Sequence, residues 1–430
     1  MIKHRLMLSA ATACLLASAL SAYADSDISG TEKNPVNTAS GGNITIEPSG
    51  GVDVKSGTPA VTINSNNWVS NLGTISNIDT PSAIGVAIDT TAGDIVAPAG
   101  TGLGNLGTIN MQGSGTSKAG ILIGGGHTYF GSLNMTTLLA TTTTGSAATT
   151  SAVNSAQVLM NGDGAAGLYL VQGTTVDGDM TMGGVWSSTP TGKNSAGGSV
   201  LVDLDGVLNG NFIFDNTTIG QIVGKGVRGI AVLGGMHACD SAAVTAVGRS
   251  CAAGSTGSLV NKGTLTVAGV SFPDAKRVNP ESGSAIVIGN SIDGGFLNGG
   301  PSTSNGTAPT ATINANGLTT APVVLIDPSQ QLSTRPAITG PLILGPVPSS
   351  IDSVDPGYSF INRGTINAGP VDGQVSAAAV SITGASAVNY TCLSGTAGSC
   401  PLNGGSDSSG GLLNTGTILA RAITTQQTVT

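Results

Sequence analysis

Asn71-Leu72-Gly73-Thr74-Ile75 is the phrase on which the reading of this chain turns. It returns as Asn105-Leu106-Gly107-Thr108-Ile109, Asn261-Lys262-Gly263-Thr264-Leu265, Asn362-Arg363-Gly364-Thr365-Ile366 and Asn414-Thr415-Gly416-Thr417-Ile418. Asn and Gly tolerate left-handed backbone, so each copy predicts a sharp turn, with φ > 0 required at Gly263 and Gly364. Thr and Ile then open a strand, because β-branched side chains fit a pleated surface. Successive copies lie 34, 156, 101 and 52 residues apart. That spacing reads as repeated coils with insertions of unequal length and degenerate coils between the clear ones.

A second phrase falls between the copies: a small residue followed by alternating apolar residues. Ala60-Val61-Thr62-Ile63, Ala83-Ile84-Gly85-Val86-Ala87-Ile88, Gly120-Ile121-Leu122-Ile123 and Gly229-Ile230-Ala231-Val232 are examples. Period two between turn residues means short strands. No amphipathic helix stands out beyond the N-terminal segment. One coil of this kind has no way to bury its own apolar face; stacked coils do, each Ile or Val sitting on its equivalent in the neighbour. The expected fold is therefore an all-β, irregular parallel β-helix. Its solenoid domain would run over 41–430 behind a flexible lead-in at 25–40. Low-complexity or Pro-rich tracts mark loop insertions near 140–156, 187–198, 299–310 and 328–357. The prolines of the last tract exclude a continuous central strand.

Composition agrees. Of 430 residues 66 are Gly, 9% are charged and 3% aromatic, which suits a narrow aliphatic interior. Net charge is −8, and the basic clusters Lys276-Arg277 and Lys225…Arg228 are too small for a nucleic-acid footprint. Residues 1–24 read as a secretory signal peptide: Lys3 and Arg5 before an apolar stretch, then Ala22-Tyr23-Ala24 as cleavage site. A lipoprotein anchor at Cys14 is the weaker alternative, since the apolar run before it is short. Export permits disulfides; local pairs Cys239–Cys251 and Cys392–Cys400 are favoured because each closes a short polar loop.

With its signal peptide, Asn-x-Gly-Thr-Ile copies, alternating strands and Gly/Ser/Thr/Asn-rich composition, the chain resembles the passenger region of bacterial autotransporters. The resemblance implies a right-handed coil, passage through the periplasm and display at the cell surface. It also implies an outer-membrane translocator as partner, acting in cis, and a host or neighbouring-cell surface protein or glycan as target. Such passengers serve adhesion or aggregation, and a minority carry protease or lipase modules. The departure is the C-terminal translocator barrel, for which the stretch ending at Thr424–Thr430 does not read.

Chemistry-bearing residues are sparse. Gly102–Gly107, Gly162–Gly167 and Gly224–Gly229 match G-x-G-x-x-G, but each leads into a β-type run, whereas a dinucleotide site needs a helix there. His127 and His237 read as loop residues, and no G-x-S-x-G elbow is present. Asp203-Leu204-Asp205 places two carboxylates on one strand face, and Asp177 and Asp179 form a similar pair. No catalytic residue, cofactor or metal is expected. The expected role is structural or adhesive. The alternatives are a secreted glycan-active enzyme on the same fold, or a self-assembling surface-layer or filament subunit.

Overall fold

A computed structural model describes residues 25–136, 138–144, 147–154, 156–189, 197–269, 283–300, 311–317, 321–330, 342–370, 378–382, 388–390 and 411–420. The chain is a parallel β-helix. Each coil adds one strand to each of three sheets: Ser26–Ile28, Thr31–Glu32 and Val36–Asn37, then Ile44–Ile46, Gly51–Val54 and Val61–Ile63, then Val69–Asn71, Thr74–Asn77 and Ile84–Asp89. The three sheets hold 14, 11 and 10 strands. At ~4.8 Å between strands, the 11 strands of the second sheet span about 48 Å.

Stacking in register turns the sequence repeats into columns. In the second sheet Val52, Ile75, Ile109, Val158, Trp186, Gly220, Leu265, Ile313, Ile366 and Ile418 lie one above another. The third sheet stacks Val61, Val86, Ile121, Leu168, Val202, Ile230, Ile286, Val324 and Val380. Nearly all of these aliphatic side chains are buried in one continuous core, each contributing ~1.5–3 kcal/mol of transfer free energy. Trp186 is fully buried in this column, its successor there is Gly220, and its ring lies against Gly167, where a Cβ would come within 3.1 Å of Trp186 Cε3.

The cross-section widens along the axis. Ile95–Asn105 is long enough to pair twice with Thr128–Met135, at Ile95–Val96 and again at Thr101–Gly104. From there a second ladder runs beside the first sheet through Val176, Leu208, Met236, Ile292 and Leu344. The added width holds the large buried side chains Tyr129, Trp186, Phe212 and Phe214.

Three expectations are corrected. Asp25–Ser40 is not a flexible lead-in; it is the first coil, pairing with the second in all three sheets. Its Thr38 is fully buried and hydrogen-bonded to Asn64 and Ser65. Second, the repeat glycines Gly73, Gly107, Gly263, Gly364 and Gly416 do not have positive φ, and among non-glycines only Asp79, Ser82 and Ser117 do within the described residues. Third, the Pro-rich 328–357 tract returns a strand to the solenoid, Leu342–Leu344. The segment after it folds over the outside of the first sheet, where Val347 covers Val260, Leu297 and Ile361. That apron is pinned by Arg363, whose guanidinium binds Asp352 at 2.9 Å and also Asp355. It is needed because the outward row of the first sheet changes from Thr45, Ser70, Asn134 and Thr181 to Ile213, Val260, Leu297, Ile361 and Leu413. Two short helices, Thr38–Gly41 and Ser241–Ala246, lie between strands.

The described residues of the 140–156 tract lie mainly in two antiparallel strands, Leu138–Thr144 paired with Ala147–Asn154. The tract leaves the register of the flanking coils intact, since Thr108 still stacks on Gln157. Ser187–Thr189 of the 187–198 tract belongs to the strand Val185–Thr189. Residues 1–24, 301–310 and the Cys392–Cys400 pair lie outside the described residues.

Candidate functional site

The repeat phrase builds the interior of the solenoid more than its turns. Asn71, Asn105, Asn261 and Asn362 are each 0% exposed, at the end of a first-sheet strand. Their carboxamides stack along the axis. Asn71 Nδ2 donates to Asn105 Oδ1 at 2.7 Å. Further on, Asn261 donates to Asn298 at 2.8 Å, Asn298 to Asn362 at 2.7 Å, and Asn362 to Asn414 at 2.7 Å. Backbone bonds between coils hold the same corner: Gly107 N–H and Leu106 N–H both donate to Asn71 O, and Gly416 N–H and Thr415 N–H to Asn362 O.

The glycine two residues on is there for close approach. A Cβ at Gly107 would lie 2.1 Å from Gly73 O, at Gly364 2.2 Å from Ala311 O, and at Gly263 2.5 Å from Thr218 O. Neighbouring coils touch backbone to backbone at this corner, so a side chain is excluded by the preceding coil whatever the φ. Asn298 is a rung that the repeat phrase does not reveal, because Asn298-Gly299-Gly300 is followed by Pro301 where the phrase has Thr. The signal was present on the other side: Phe296-Leu297-Asn298 matches Phe360-Ile361-Asn362. It splits the 101-residue interval into steps of 37 and 64.

The acidic pairs behave differently from each other. Asp203 sits on the outer face of the third sheet between Tyr169 and Ala231. Burial, with the neighbouring Asp205 carboxylate, pushes the Asp203 carboxyl from 3.8 up to about 7, and Arg228 only partly opposes this. Asp205 is 2% exposed and accepts from the Tyr169 hydroxyl at 3.2 Å. This is a carboxyl pair that holds a proton near neutrality, beside an aromatic ring. Asp177 and Asp179 are not a pair in function. Asp177 is buried beside Asn209, and desolvation raises its pKa. Asp179 Oδ1 accepts from Asn211 N–H and Ser255 Oγ, both at 2.7 Å, which ties down the return leg of an excursion.

That excursion is closed by the Cys239–Cys251 disulfide. Asp240 caps its helix by accepting from Ala242 and Ala243 N–H, each at 3.0 Å. At its base His237 Nδ1 lies 3.1 Å from Asp293 Oδ2, a bond that raises the imidazole pKa. His127 lies on the surface, 3.9 Å from Asp94. Lys118, 1% exposed, is a cation that sequence reading passed over. Its ammonium donates to Met111 O, Gly113 O and Asn161 Oδ1 at 3.0, 2.8 and 3.2 Å, clamping two successive corners. Of the G-x-G-x-x-G matches, Gly102–Gly107 lies partly within the strand Ile95–Asn105, and the other two lead into the strands Ala166–Leu170 and Arg228–Val232. Among the described residues no three His, Cys, Asp or Glu side chains group as a metal site.

Comparison with protein-family models, curated proteins and solved structures finds no match.

Proposed function

We propose that the protein is an exported, surface-displayed β-solenoid of autotransporter-passenger type, a stiff stalk that presents loops for adhesion or aggregation. The observation that carries this reading is how the excursions leave the rod. The Leu138–Asn154 hairpin and the disulfide-closed loop at Cys239–Cys251 depart between coils whose columns continue unbroken on either side. A repeat array tolerates this because each coil depends only on its neighbours. The loops are then free to vary against a fixed scaffold. An N-terminal signal peptide at 1–24 and an outer-membrane translocator fit the same reading. The test is export of the chain with 138–154 replaced by a short Gly/Ser turn. Its melting should be unchanged while binding to neighbouring cells or host glycans is lost; binding retained by this variant and by one lacking the 239–251 loop would overturn the reading.

A second reading, a glycan-active enzyme, is favoured by one observation: the proton-holding Asp203/Asp205 pair beside Tyr169. Cleavage of an acidic polysaccharide, abolished in Asp203→Asn without loss of fold, would establish it over the adhesin.

A further inference from the structure

The Cys239–Cys251 loop rises from the rod on two feet, and they are held differently. The return foot is well bonded. Asp179 Oδ1 accepts from Ser255 Oγ at 2.7 Å, and Asn211 Oδ1 accepts from Thr256 and Ser258 N–H at 3.1 and 3.0 Å. The outgoing foot, His237–Asp240, stands on a polar row. Asp177 pairs with Asn209 and Asn209 with His237; Asp293 follows, its N–H bonded to Met236 O at 2.9 Å. Asp177 is 4% exposed. Among the described residues its Oδ1 has no hydrogen-bond partner, and its Oδ2 accepts from Asn209 at 3.4 Å. The group that faces it from the loop is Asp240, of like charge and already engaged in capping the helix Ser241–Ala246.

We infer that the outgoing foot is a proton-operated latch: the loop is docked on the rod in mildly acidic solution and swings loose about its return foot as pH rises. Two groups hold protons in the docked state, and both act in the same direction. Burial raises the Asp177 pKa above 3.8; the Asn209 amide opposes this, the Asp240 charge adds to it, and Asp240 N–H opposes it least. As the neutral acid Asp177 is docked at the lowest cost, because a carboxylate there would be desolvated and set against a second carboxylate. The bond to Asp293 raises the His237 imidazole above 6.5, and partial burial works against it. Both partners of that pair are nearly half exposed, at 43% and 46%, so it adds less. Each group binds its proton more firmly docked than lifted. Docking therefore weakens as pH rises from about 4 for Asp177, and through about 6.5 and above for His237. Arg249, the one cation of the loop, acts on the buried Tyr129 hydroxyl. Among the described residues no basic side chain acts on Asp177 to reverse the sign. The disulfide ties the two ends of the loop together, so it moves as one body. For the function proposed above this adds a condition, that the loop stands clear of the rod above neutrality; the docking itself does not depend on what the loop meets.

The test is amide exchange of the purified chain at about pH 5 and about pH 8, corrected for intrinsic rates. A helix as short as Ser241–Ala246 has no stability of its own. The protection of Ala242, Ala243 and Val244 N–H, all bonded to Asp240, therefore reports docking. In the wild-type chain it falls about tenfold from the lower pH to the higher, while Thr256 and Ser258 on the return foot and Leu259–Asn261 on the rod hold theirs. Asp177→Asn keeps the shape of the side chain and stays protected at both pH values. Asp240→Asn retains a capping side chain and shrinks the fall, and His237→Gln removes its smaller part. A fall that Asp177→Asn leaves unchanged, a fall shared equally by Leu259–Asn261, or wild-type protection that is flat or rises with pH would overturn the latch. If Asp177→Asn fails to fold, Asp240→Asn decides: a fall undiminished in that variant overturns the latch as well.

Discussion

Two stretches of one column occupy the same place in the coil and solve burial in opposite ways. From Asn261 through Asn298 and Asn362 to Asn414 the column is a chain of carboxamides. Between Asn105 and Asn261 the same position is held by Met135, Met182 and Phe214, all fully buried. Both stretches are buried, apart from the exposed Asn414. The apolar one needs only volume. The polar one works because every amide finds its partner one coil away, which makes each rung depend on the identity of its neighbours. The seam between them shows the cost: Asn105 Nδ2 and Asn261 Oδ1, the two groups facing the apolar gap, are the ladder atoms left buried without a hydrogen-bond partner.

The largest effect expected from breaking this arrangement comes from the corner that both stretches share. Gly364→Val would force a Cβ into Ala311 O, 2.2 Å away, and backbone has nowhere to yield between two bonded coils. A loss of about 3 kcal/mol or more is expected, read as a lowered melting temperature and as faster amide exchange in the coils on either side. Gly198, with positive φ and open space around it, is the control: Gly198→Ala should cost only the backbone strain, ~1–2 kcal/mol. Next in size is the middle rung. Asn298→Leu strips Asn261 of its acceptor and Asn362 of its donor, leaving two buried groups unpaired at ~1–3 kcal/mol each. Replacing Asn261, Asn298 and Asn362 together by Leu should cost less than twice the single change, because no amide remains inside the run to be orphaned. Strict additivity of the three substitutions would show that the ladder is not a unit.

The same contrast explains what was legible in the sequence. The columns of Val, Ile and Leu could be read from period two, since an aliphatic residue says the same thing in every coil. The recurrence of Asn-x-Gly-Thr-Ile was equally plain, but its meaning was not. A residue that tolerates turns and a residue that stacks its amide on a neighbour are both Asn, and only register tells them apart. Likewise Gly364 is required by the oxygen of a residue 53 positions earlier, Ala311, a constraint with no local trace. Asn298 was hidden because its following residues depart from the phrase. The coil at Asp25–Ser40 was hidden because Asp27, Glu32 and Lys33 look like a solvated lead-in. Of the candidate sites, the Asp203/Asp205 pair was visible from its i, i+2 spacing; the proton it holds depends on burial that no spacing encodes.

A smaller effect sharpens the comparison at its seam. Asn105 has an amide partner on one side only, accepting from Asn71 while its own Nδ2 faces the apolar gap. Asn105→Leu therefore orphans one group and relieves another, and should cost about 1 kcal/mol or less, well below Asn298→Leu. Equal costs for the two would mean that the rungs act by shape alone.

The smallest effect is one of slope, and it extends the argument from carboxamides to carboxyls. A buried amide without a ladder stays unsatisfied, whereas a buried carboxyl beside a second carboxyl has another recourse and keeps its proton. Asp203, raised from 3.8 to about 7 by burial and by Asp205, is in that state on the outer face of the third sheet. Its folded pKa lies above the unfolded one, so between these values the folded chain binds more protons than the unfolded chain. Stability therefore falls as pH rises from about 4 to about 7, and the contribution of this group is flat on either side. With the proton shared between two carboxyls the slope should stay under about 1 kcal/mol per pH unit. Asp203→Asn removes the titrating group but keeps its shape, so its denaturant midpoint should lose this pH dependence and exceed the wild-type value above pH 7. A wild-type midpoint that rises across the same window would mean that Asp203 is ionised in the fold and held by a cation, which would return the pair to the solvated acids of the surface.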